Sequence, residues 1–114
     1  MFDKVYIKKI KDNKKGRQYR QVLNETFELL EAEMENIRNN KPSEWPPSLL
    51  QDLVYPEIKE LYDYAKEGKA PLGTRIKRFR RLMSVYFMLD TLENFKDTPL
   101  GRKISELEDI YCTL

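Results

Sequence analysis

The sequence contains no histidine. That removes the commonest general base and the commonest transition-metal ligand. A single cysteine, Cys112, excludes an internal disulfide. Without histidine it also excludes a Cys–His nucleophile pair and a zinc site built from several Cys and His of one chain. Its nearest basic neighbour in sequence is Lys103, so Cys112 reads as a packed thiol rather than a reactive one. The four glycines, at 16, 68, 73 and 101, stand apart and form no phosphate-cradling loop. No stretch approaches the roughly 20 apolar residues of a membrane span. Residues 1–10 carry Asp3, Lys4, Lys8 and Lys9 where a secretory leader needs an apolar run. The expectation is a cytoplasmic protein with no membrane contact and no cofactor.

What is present is charge and helical periodicity. Charged residues make up 35% of the 114 positions against 40% hydrophobic, so each element must turn much of its surface to water. The net charge of +2 conceals blocks of opposite sign. Residues 1–21 hold eight Lys/Arg against two Asp, and residues 22–68 hold four against eleven acids. Residues 69–81 hold six basic groups and no acid, and residues 82–114 three against six. Such blocks pair with one another or with a partner.

Apolar positions at steps of three and four outline four helices. The first, over 17–39, carries Tyr19, Val22, Leu23, Phe27, Leu30, Met34 and Ile37 on one stripe. A stiff connector with three prolines, KPSEWPP at 41–47, follows. Ser48 then reads as an N-cap, with Gln51 completing a capping box. The second helix carries Leu50, Leu53, Val54, Ile58, Leu61, Tyr62 and Ala65, is expected to kink at Pro56, and ends at Gly68. The third, over 75–95, is apolar on most sides from Leu82 to Leu89 and suits a central position or a contact between copies. Thr98 and Pro99 read as N-cap and first residue of the last helix, with Leu100, Ile104, Leu107, Ile110 and Tyr111 inward.

The first sixteen residues break this pattern. Val5, Tyr6 and Ile7 resemble a short strand, but a lone strand has nothing to pair with except in a dimer. The expected architecture is therefore all-α: an antiparallel four-helix bundle over 17–114, its second helix kinked at proline, with an extended basic N-terminal arm at 1–16.

Carboxylates are the remaining route to catalysis. Glu28 and Glu31, and Glu60 and Asp63, have the spacing with which a carboxylate–metal nucleotide hydrolase would hold Mg²⁺ on two helices. Ligands in a bundle must project inward. On a helical wheel Glu28, Glu60 and Asp63 point away from the apolar stripes, and Glu31 only borders one. No catalytic or metal-ligating residue is therefore assigned.

The sharpest motif is RIKRFRR at 75–81. On the wheel Lys77, Arg78 and Arg81 form a basic ridge, with Arg75 and Arg80 on its shoulders. Phe79 falls on the apolar stripe, which argues against base stacking. The ridge suits a partner protein with an acidic surface, or a second copy of this chain in a homodimer. Trp45 is a candidate anchor for such a contact, although a Trp in a proline-rich connector also folds back over a core edge. Tyr55 and Tyr64 would rim a contact surface. The function expected is that of a small non-catalytic helical protein acting through protein–protein interaction. The alternative is a nucleic-acid-binding accessory protein using the same ridge and the basic arm. A protein partner needs an exposed apolar patch beside the charges. A nucleic acid needs ridge and arm to merge into one positive surface.

Overall fold

A computed structural model describes residues 7–43, 45–71 and 97–114, with residue 112 described in its backbone only. The order of elements is β1 (Ile7–Lys9), α1 (Lys14–Arg38), α2 (Pro47–Leu49), a π-helical segment (Leu50–Val54), α3 (Tyr55–Lys66), β2 (Lys69–Pro71) and α4 (Pro99–Thr113). α2, the π segment and α3 run on without a break, so the described residues form three helical rods and one small sheet. This corrects the expectation of a four-helix bundle with an extended arm. The arm supplies a strand instead. β1 pairs antiparallel with β2, placing Ile7 opposite Pro71, Lys8 opposite Ala70 and Lys9 opposite Lys69. The helix expected over 75–95 lies outside the described residues.

α1 is the central rod. It begins three residues earlier than the expected start at 17, because the side chain of Asn13 accepts from the Gly16 N–H and satisfies one donor of the first turn. A Cβ at Gly16 would fall on the Lys11 carbonyl, so only glycine lets the chain double back there. At the other end Asn40 adopts φ 56°. Asn40 N–H reaches the Ile37 carbonyl and Lys41 N–H reaches that of Asn36, closing the helix with two carbonyls satisfied. Tyr19, Val22, Leu23 and Leu30 are buried, while Phe27, Met34 and Ile37 of the same stripe are half-buried.

The second rod departs from its expected start. Pro46 caps Pro47 with no side-chain hydrogen bond, so the Ser48–Gln51 capping box does not form. Ahead of Pro56 the helix widens rather than keeping α geometry: Tyr55 N–H bonds the Leu50 carbonyl, five residues back. Proline lacks an N–H and its ring crowds the carbonyl four residues earlier. A π turn is one way a helix absorbs that demand while the apolar stripe continues. Leu50, Val54, Ile58 and Leu61 all remain buried. Gly68, at φ 74°, ends the rod as its position suggested, and its carbonyl accepts from Ile10 N–H at 2.8 Å.

α4 opens as expected, with Thr98 accepting from Gly101 N–H at 3.0 Å and Pro99 in the first turn. It packs Leu100, Ile104, Leu107 and Tyr111 onto α1. Tyr111 stacks on Tyr19, ring centroids 5.9 Å apart, and its hydroxyl donates to the Pro71 carbonyl. One residue thus ties α4 to both α1 and β2. No helix among the described residues is long and apolar enough to cross a membrane.

Candidate functional site

The acidic block over 22–68 is paired in part: Glu25, Glu31, Glu35 and Asp63 each have a basic partner. Arg38 reaches Glu35 at 3.0 Å and Glu31 at 3.8 Å on α1. Lys59 and Lys66 flank Asp63 on α3, at 2.8 and 3.9 Å. Lys103 of α4 bridges Glu25 of α1 at 3.2 Å and Glu106 at 3.3 Å. These hydrogen bonds, with Glu25 foremost, hold the Lys103 ammonium charged above its ordinary range. Glu31 also accepts from the Tyr55 hydroxyl at 3.0 Å. Glu28 and Asp63 are exposed, and the described residues contain no group of three or more Cys, Asp and Glu placed to hold a metal.

The basic block behaves differently. Lys8 and Lys9 sit on β1, Lys11 in the following turn, Lys14 and Lys15 in the first turn of α1, and Lys69 on β2; all are exposed. Arg20, one turn further along α1, brings its guanidinium beside Gly68. Arg17 pairs with Asp12 at 3.2 Å. Among the described residues the other seven cations form no ion pair. Lys9 and Lys69 are directly opposed across the ladder, where like charges destabilise a sheet. The two-stranded sheet is what concentrates this charge. It sets the basic start of the chain against Lys69.

Two hollows border this end. One of about 480 Å³ is walled by Lys8, Lys9, Lys11 and Lys15, with Ile10, Asn13, Gly16, Thr113 and Leu114 completing it. The other, about 360 Å³, lies between Lys9, Lys69, Ile7, Tyr64 and Glu67.

A second surface lies along the seam of α1 and α3. Phe27 and Tyr62 stack with centroids 4.0 Å apart and planes 10° from parallel. Tyr55 leans on Phe27 at 6.2 Å. Lys66 stands 4.7 Å above Tyr62 and Lys59 5.9 Å from Phe27. All three rings are half-buried.

Of the residues singled out by sequence, Arg75, Lys77, Arg78, Arg80 and Arg81 lie outside the described residues. Trp45 is 2% exposed. Ser43 donates to Glu33 of α1 and accepts from Trp45 N–H, so the connector is pinned down and the indole lies in the core. The aromatic seam was only half legible: Tyr55 was expected at a rim and Tyr62 in the core, but the stack on Phe27 has no signature in spacing. The Lys9–Lys69 juxtaposition had none.

Compared with protein-family models, with curated proteins and with solved structures, the chain matches none.

Proposed function

We propose that this is a non-catalytic binding protein whose cationic end takes a polyanionic partner, and that the partner is a nucleic acid. The observation that carries this reading is the contrast between blocks: four acids of 22–68 held by bases, and seven cations gathered with no ion pair among the described residues. A structural role for those lysines would favour pairs. An opposed Lys9 and Lys69 instead cost stability until an anion approaches. Among the described apolar groups of this end Ile10, Ala70 and Pro71 are buried and Ile7 and Leu114 half-buried, so charge outweighs the exposed apolar surface that a protein partner would want beside it. The overall charge of +2 is compatible, because the acidic groups of residues 22–68 lie mainly on α1 beyond its first turns and on the second rod, and four of them are paired.

The test is a salt titration of binding to a labelled duplex and a labelled single strand. Micromolar binding that falls steeply with salt is expected. It should be lost in Lys8→Glu/Lys9→Glu and weakened in Arg78→Glu/Arg81→Glu. No binding at low salt would sink the reading.

The second reading is contact with a partner protein, or with a second copy, through the Phe27–Tyr55–Tyr62 seam. Half-buried stacked rings rimmed by charges of both signs suit a self-complementary surface. Sedimentation velocity over a hundredfold range of concentration tests it. A dimer that disappears in Tyr62→Ser would support this contact, and a concentration-independent monomer would remove the homodimer.

A further inference from the structure

The 480 Å³ hollow at the cationic end is a separate feature from the overall charge. Four lysines from three places in the chain border it: Lys8 and Lys9 from β1, Lys11 from the turn, and Lys15 from α1. A phosphate and its neighbouring sugar need a few hundred Å³, the ordinary size of a ligand cleft. Asn13 caps α1 with its carbonyl oxygen, which leaves its amide N–H₂ as a neutral donor beside the lysines. Gly16 keeps the floor low: its hydrogen stands where a Cβ would collide with the Lys11 carbonyl and press on Ile10.

We infer that this hollow seats a phosphate group, held by Lys8, Lys9, Lys11 and Lys15 and by the Asn13 amide. The inference rests on the polyanion reading and makes it specific. Surface charge alone would let a strand lie anywhere on the cationic end. A seat fixes one backbone phosphate between β1 and α1, and the strand extends from there. Free phosphate shares the chemistry, so the experiment must separate the two sources.

The probes are inorganic phosphate and a short oligothymidylate, each titrated into the isotopically labelled full chain and followed by amide chemical shifts. Saturable shifts are expected at residues 8–16 and 113–114 with both probes, and each probe should displace the other. Lys11→Gln/Lys15→Gln should weaken both about tenfold and lower the salt slope of oligonucleotide binding by about one per lysine removed. Three outcomes overturn something definite. Oligonucleotide binding that is unchanged in this variant, with no phosphate shifts in the hollow, removes the seat and leaves the polyanion reading standing. Phosphate that saturates the hollow while the oligonucleotide binds nowhere keeps a free-phosphate site and removes the nucleic acid. Shifts spread evenly over every exposed lysine show that no seat exists.

Discussion

Tyr19 and Tyr111 stack on each other in the core, but their hydroxyls are differently placed. That of Tyr111 donates to the Pro71 carbonyl. That of Tyr19 is buried and has no hydrogen-bond partner among the described residues. A buried hydroxyl without a partner keeps its desolvation cost, whereas a bonded one offsets it. Tyr19→Phe should therefore leave stability unchanged or raise it by up to about 1 kcal/mol. Tyr111→Phe should lower it by about 1–2 kcal/mol, since it strands the carbonyl that ends β2. Urea unfolding of the two variants measures the difference, and equal losses would refute the asymmetry.

At the scale of elements, the helix starts carry a second expectation. Asn13 and Thr98 each satisfy an N–H that would otherwise be orphaned. Replacing either by Ala should cost about 1 kcal/mol, read as a lowered thermal midpoint, whereas Ser48→Ala should cost little because Ser48 caps nothing. This contrast shows what spacing can and cannot reveal. Thr98-Pro99 and Gly68 were legible because their roles depend on local backbone geometry. The inward stripes of α1, α3 and α4 were legible because burial follows the helical period. The capping box at Ser48 failed because the helix starts at Pro47, two residues earlier than that cap required. The sheet was hidden because its strands are three residues each and lie far apart in sequence. Neither can be recognised until the other is known. The binding surface was legible as charge but not as a place, for the same reason.

Across the whole molecule, two buried or bridged groups set the alkaline limit of the fold. Burial, reinforced by Tyr111, keeps the Tyr19 phenol neutral far above its ordinary value of 10.0. The unfolded chain releases that proton near pH 10, so the folded state binds more protons there and stability falls as pH rises. Lys103, held charged by Glu25 and then Glu106, has a raised folded-state value. Its contribution is full below its unfolded value near 10.5 and is lost as pH climbs through the folded one. Both signs agree. Stability should decline from about pH 10 upward, and Tyr19→Phe should flatten the first part of that decline. Denaturant midpoints taken between pH 8 and 11.5 test it.

The four-lysine hollow is assembled from β1, the start of α1 and the last residues of α4. Its shape therefore depends on tertiary contacts between distant segments. β1 holds its place only while it is paired with β2, and the far wall only while α4 lies against α1. Loosening either contact would scatter the lysines without removing one of them, so the hollow would fade before the charge does.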